Sequence, residues 1–128
     1  MRVSEDDGWS GMDIRFPFPE DVARIAGLAL FRAVFGRGAA HKVHRHPNAH
    51  EFFYVVRGRA EIGTEEEVHE VAAGTVEFVR RGKSHWLRNL EPDEEVEVVG
   101  GYLGVATLDE AGYEYVGEIP AGRPGARS

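Results

Sequence analysis

Residues 38–58 read GAAHKVHRHPNAHEFFYVVRG. The second half of this stretch, Phe52-Phe53-Tyr54-Val55-Val56, concentrates the aromatic and β-branched side chains that suit a pleated, half-buried surface, and it stops at Gly58. The first half places His44 and His46 two residues apart. On an extended chain, side chains at that spacing share a face, so both imidazoles point the same way. Pro47-Asn48 between the halves is a turn signal. Glu51 then opens the second strand with a carboxylate. The stretch reads as strand, turn and strand, with nitrogen and oxygen donors gathered at the turn.

Outward from it, the same pattern repeats. Residues 28–35 are apolar on both faces and end at Gly36-Arg37-Gly38. Further short strands are expected at 59–63, 68–71, 75–79, 84–88, 95–103 and 105–108, most of them bounded by glycine. The chain holds 16 glycines in 128 residues, which supplies the tight turns such a fold needs. Short strands at regular spacing predict an all-β sandwich or barrel, in a single domain at this length. The barrel is expected over 27–117. Residues 1–26 read as an irregular arm, because Phe16-Pro17-Phe18-Pro19 lacks the backbone donors of a central strand. One helical turn is expected at 20–24. The apolar residues Trp9, Met12, Ile14, Phe16 and Phe18 predict that this arm packs on the barrel or on a second subunit. Residues 118–128, rich in Pro, Gly and Arg, read as a flexible tail.

Composition excludes several classes. The formal net charge is -7, so a phosphate backbone would be repelled and nucleic acid is not an expected partner. The acidic runs Glu65-Glu66-Glu67 and Asp93-Glu94-Glu95 read as solvated turns. With no cysteine, any metal must sit in a nitrogen and oxygen shell. No apolar run approaches the ~20 residues of a membrane span, and no signal peptide is evident, which makes a cytoplasmic protein the expectation.

Four of the six histidines, His41, His44, His46 and His50, fall within ten residues. His85 lies beyond a turn at Gly82. Three imidazoles and one carboxylate suit Fe(II), Mn, Co, Ni, Cu or Zn. A His-x-His pair alone is weak evidence in a chain with six histidines. The glycine framework around it is what gives the pair weight.

In that framework the sequence resembles the cupin family. The family's first motif is Gly, five residues, His-x-His, three or four residues, Glu, six residues, Gly; here Gly38, His44, His46, Glu51 and Gly58 stand at those spacings. The second motif is Gly, five residues, Pro-x-Gly, two residues, His, three residues, Asn, and Gly74, Gly82, His85 and Asn89 match it. The motif's Pro is Arg80, a departure that touches turn rigidity and removes no ligand. The resemblance implies a jelly-roll-like cupin β-barrel holding one divalent transition metal (Fe(II), Zn, Mn or Ni) through His44, His46, Glu51 and His85. His50 sits where relatives often carry an acid, yet on a strand it points away from Glu51, so it reads as a rim residue. His41 and His69 are likewise read as rim or surface residues, and Asn89 as a structural residue that bonds turn backbone. Small cupins often pair, which implies a homodimer.

Strand parity from Glu51 and His85 predicts a pocket of Phe53, Val55 and Leu87, with Phe35, Trp86 and Tyr102 framing its mouth. Glu77, Tyr102 and Lys42 are the candidate catalytic groups, with Arg57 a further candidate for anchoring. Such a pocket suits an apolar or aromatic small molecule. Four protein ligands leave positions open on a six-coordinate ion, which favours an enzyme. The leading expectation is a non-heme dioxygenase or a polyketide-tailoring, cyclase-like enzyme. The alternatives are a Lewis-acid isomerase or lyase using Zn, Ni or Mn, and a non-catalytic binding or sensing module.

Overall fold

A computed structural model describes residues 9–120. The described residues form nine strands: β1 (Trp9–Arg15), β2 (Leu28–Arg45), β3 (Glu51–Arg57), β4 (Arg59–Thr64), β5 (Val68–Ala72), β6 (Val76–Val79), β7 (His85–Asn89), β8 (Val96–Leu103) and β9 (Glu114–Gly117). Two short helices, α1 (Glu20–Ala26) and α2 (Leu108–Ala111), interrupt them. Every pairing is antiparallel, and the sheet order is β5-β4-β7-β2-β8-β3-β6, with β1 and β9 each added to β2. The sheet curls around one apolar core, in which Ile14, Phe31, Phe35, Phe53, Val55, Val98 and Tyr102 are buried. This is the all-β, jelly-roll-like barrel that the sequence predicts.

Strand β2 is the axis of the fold. It runs 18 residues without a break, where the sequence reading expects a stop at Gly36. The glycines bend the strand instead of ending it, with Gly38 at φ +70°. Along β2 the buried positions alternate at Ala29, Phe31, Ala33 and Phe35 and resume at Ala39 and His41, after which the next inward residue is His44. That slip of one position coincides with a register irregularity against β7 between His41 and His44. A bulge of this kind re-aims the side chains that follow it.

All four framework glycines of the two motifs, Gly38, Gly58, Gly74 and Gly82, adopt φ between +70° and +94°. Gly58 is doubly constrained: a Cβ there would lie 2.8 Å from Val96 Cγ2 and 2.9 Å from the Glu95 carbonyl. The motif spacing is thus the spacing of left-handed backbone positions, one at the bend inside β2 and three between strands, which only glycine adopts without strain.

Three local expectations are corrected. The arm is not irregular throughout, since residues 9–15 form β1 against β2, and α1 extends through Ala26 to a left-handed Gly27. The apolar residues of the arm outweigh its prolines, which fall just after the strand. Residues 105–108 do not form a strand. Thr107 instead caps α2, its hydroxyl accepting the Glu110 N–H, and β9 follows. Of the expected tail, 121–128 lie outside the described residues, while Glu118 is tied to Lys42 and Tyr115. Among the described residues no helix is long and apolar enough to cross a membrane.

Candidate metal centre

His44 lies near the end of β2, His46 one residue past it, and Glu51 and His85 are the first residues of β3 and β7. The fold brings them together because β2 pairs with β7, with His44 opposite His85, while β8 bridges β2 to β3. All four side chains are buried, and one donor atom from each lies within 4.8 Å of the others. Glu51 Oε1 is 3.0 Å from His85 Nε2 and 3.3 Å from His46 Nε2.

The hydrogen bonds on the far side of each ring decide what these donors can do. His44 Nδ1 donates to the Lys42 carbonyl at 2.6 Å, His85 Nδ1 to the Lys83 carbonyl at 3.0 Å, and His46 Nδ1 to the Gly112 carbonyl at 2.8 Å. A carbonyl can only accept, so each neutral ring carries its proton on Nδ1 and presents the Nε2 lone pair to the centre. Burial, together with neighbouring His41 and His85, holds His44 well below the ordinary imidazole pKa, which keeps that lone pair available. Burial opposes ionisation of Glu51 as well, but its close contacts with the His46 and His85 rings outweigh it and hold the carboxyl well below the usual range. For His46 burial is likewise outweighed, by the Glu51 carboxylate and the Gly112 carbonyl, and its pKa is raised. Three imidazole nitrogens and one carboxylate oxygen converge, each imidazole oriented from behind by backbone. That donor set fits a divalent transition metal.

The turns that carry these donors are tied to each other. Gly82 N–H donates to the His46 carbonyl at 2.8 Å, and Arg81 N–H donates to His50 Nδ1 at 2.9 Å. His50 therefore turns away from the centre and fastens the second motif's turn to the first. Asn89 Nδ2 donates to the carbonyls of Phe35, Gly36 and Glu94, and its Oδ1 accepts the Glu91 N–H. It pins the bend of β2 to the turn between β7 and β8.

The cluster opens onto a cavity of about 30 Å³, lined by Met12, Ile14, Phe31, Phe35, Phe53, Leu87, Val98 and Tyr102 as well as His41, His44, Glu51 and His85. Among the described residues no Lys or Arg lines it. Of the residues expected at the pocket, Phe35, Phe53, Leu87 and Tyr102 line this space. Val55 is fully buried in the core and does not line it. Trp86 does not face it. Next to inward-pointing His85, it turns to the other side of the sheet, lies over Gly63, and borders a separate hollow with Val43, Thr64 and Ser84. Among the candidate catalytic groups only Tyr102 reaches the cavity. Burial and the Glu51 charge raise its pKa, so its phenol stays protonated. Lys42 pairs with Glu118 on the outer side, and Glu77 bonds His69 Nε2 at 3.0 Å beside another hollow. Arg57 pairs with Glu95 and Glu97.

Two residues at the centre have no counterpart in the motif reading. His41 is buried rather than at the rim or surface as its sequence reading has it, and its ring stacks on His44 with centroids 3.4 Å apart and planes 11° apart. Tyr113 places its hydroxyl 3.1 Å from His41 Nε2. Regular parity puts His41 and His44 on opposite faces; the bulge brings them to one side. No sequence signal announces it.

A curled antiparallel barrel with a buried cluster of three imidazoles and one carboxylate defines a class of small β-barrel proteins with a candidate metal site. A family model described as the cupin domain matches residues 31–100, and the chain belongs to the cupin family. Among solved structures, a cupin-like protein from Thermotoga maritima aligns with a TM-score of 0.74 at 21% identity, covering 93% of this chain and 86% of its own. A predicted oxalate decarboxylase from the same organism gives 0.71 at 20% identity, over 82% and 91% of the two chains. An oxalate oxidase gives 0.69 at 21% identity, over 84% of this chain and 56% of its own. At these identities the likeness shows the fold. No curated protein matches the chain by sequence.

Proposed function

We propose that this chain is a metal-dependent enzyme of the non-heme type, acting on a small organic molecule that carries little charge at its reacting end. The observation that carries the reading is the convergence of three backbone-oriented imidazoles and one ionised carboxylate beside an otherwise apolar cavity, whose wall includes His44, Glu51 and His85. His44, His46, Glu51 and His85 would hold the ion. Bound there, a transition metal supplies Lewis-acid activation or, if redox-active, electron exchange with dioxygen.

The chain's own residues set the rest. The space of about 30 Å³ has room for about two water molecules, so it admits dioxygen or one functional group while the body of a larger substrate lies outside. The apolar lining excludes bulk water from that group. With no Lys or Arg among the described lining residues, an anionic substrate would depend there on the metal for its charge. This weighs against simple transfer of the oxalate chemistry named for the two fold neighbours. Tyr102 offers a protonated hydroxyl at the cavity wall and is the residue placed to give a proton or hydrogen bond to a substrate oxygen. We favour dioxygenase-type chemistry. Isomerase or lyase chemistry is the second reading, because the same thiolate-free donor set also suits Zn, Ni and Mn.

The test begins with elemental analysis of the untagged protein, then reconstitution with Fe(II) and oxygen-uptake assays on aromatic and diketone substrates. One equivalent of metal, lost in the His44→Ala/His46→Ala double variant, together with substrate-dependent oxygen uptake, is the expected result. Stoichiometric metal with turnover but no oxygen uptake points to the Lewis-acid reading. Failure to bind any of these ions after reconstitution removes the enzyme proposal.

A further inference from the structure

The segment from Thr107 to Gly117 lies beyond the family-matched residues 31–100, yet it touches the candidate metal centre at several points. The Gly112 carbonyl accepts the Nδ1 proton of His46 and thereby fixes which nitrogen faces the centre. Tyr113 lies with its ring centroid 5.4 Å from that of His44, 5.6 Å from His41 and 5.8 Å from His46. Its hydroxyl is 3.1 Å from His41 Nε2, and the His41 ring in turn lies flat on His44 at 3.4 Å. The segment is itself anchored: Asn48 N–H donates to the Ala111 carbonyl at 2.9 Å, and Tyr115 stands opposite His44 in the pairing of β9 with β2.

We propose that Tyr113 is a positioning residue for the metal centre, acting through His41 on His44, and that the C-terminal segment carrying it is a working part of the site. The inference rests on the metal reading above. An imidazole ligand must hold both its distance and its ring plane to direct a lone pair at an ion. Its Nδ1 bond to Lys42 fixes one axis and leaves rotation of the ring about that axis. A ring stacked flat on its face removes that freedom, provided the stacking ring is itself held. The hydrogen bond between the Tyr113 hydroxyl and His41 Nε2 holds His41. Residues behind the ligands of a metal site commonly change affinity by about 10–100-fold when removed.

The probe is Co(II) alone, whose visible absorption reports ligand geometry, titrated into the apo form of the full chain. Tyr113→Phe keeps the ring and removes only the hydroxyl. The expected result is Co(II) binding about 10–100-fold weaker than wild type with altered visible bands, while the thermal midpoint of the apo protein stays near the wild-type value. If Tyr113→Phe is insoluble, His41→Gln serves in its place, and the same weakening is expected. Wild-type affinity and an unchanged spectrum in the variant would overturn the proposal. A wild-type protein that binds no Co(II) at all overturns the metal reading and this inference with it, and that outcome is seen before any variant is made.

Discussion

Asn89 shows how much of this fold hangs on single side chains. Its amide satisfies the carbonyls of Phe35, Gly36 and Glu94 at once, in a buried position where no water replaces it cheaply. Asn89→Ala leaves acceptors of that bend without their donor, and we expect a loss of about 1–3 kcal/mol in chemical denaturation. Asn89→Asp should cost more, since it sets a carboxylate against three carbonyl oxygens. An alanine variant as stable as wild type would show that the bend finds other donors. Tyr102 makes the complementary prediction for function. Tyr102→Phe keeps the ring that packs on Phe31 and Phe16 and removes the hydroxyl at the cavity wall. Metal content should stay at the wild-type level while kcat falls by about 10²-fold or more, the usual scale of lost proton transfer. Unchanged turnover would take Tyr102 out of the chemistry. At this scale the sequence was informative where a residue's role follows from its neighbours in the chain. The His-x-His parity, the entry of β3 at Glu51 and the turn before His85 are all local, and so are the Nδ1 bonds of His44 and His85, which reach back only to residues 42 and 83. The partner of His46 stands 66 residues away, and no pattern in the chain points to it.

At the scale of elements, strand alternation explains both the successes and the errors of the sequence reading. Alternation from Glu51 puts Phe53 at the cavity, and alternation from His85 puts Leu87 there. The same rule, applied strictly, sends Trp86 to the outer side. There it lies opposite Gly63 in the pairing of β4 with β7, and a Cβ on Gly63 would come within 2.1 Å of the indole ring. The Trp–Gly pair is thus one packing unit on the outer face, apart from the inner site. Gly63→Ala should therefore destabilise the fold by about 1–3 kcal/mol through overpacking. Metal affinity in the folded fraction should be unchanged, because the Trp86 side chain packs on Gly63 on the face opposite the one to which His85 points. Thermal melting with a parallel metal titration checks both halves, and a large drop in affinity would show the two faces to be coupled. The element-level misses share a cause. The continuity of β2 through Gly36 and Gly38, the bulge that turns His41 inward, and the pairing of β1 and β9 with β2 are set by long-range contacts. Local propensity reads glycine as an end and the Pro-rich arm as irregular, and only the sheet decides otherwise.

For the whole molecule, the arrangement of the candidate ligands would link metal binding to global stability. The four side chains come from β2 and the turn after it, from β3 and from β7, and β3 is separated from β2 by β8 in the sheet order. An ion held by all four would join positions across the curl, in addition to the backbone bonds between adjacent strands. An unfolded chain presents no such cluster, so binding favours the native state by RT ln(1 + [L]/Kd), about 2.7 kcal/mol at a hundredfold excess over Kd. For a domain of this size that corresponds to a rise of roughly 10 °C in the thermal midpoint. The expected outcome is a midpoint that falls on adding a strong chelator, recovers with excess Zn(II) or Mn(II), and rises with the logarithm of free metal. The His44→Ala/His46→Ala variant separates this from non-specific binding to the acidic surface that a net charge of -7 provides. It should melt at one midpoint regardless of metal or chelator, as a folded barrel. If the variant gained the same increment as wild type, the stabilising ion would be bound elsewhere. If the wild-type midpoint ignored both chelator and metal, the convergence of donors at the end of β2 would serve packing and no ion at all.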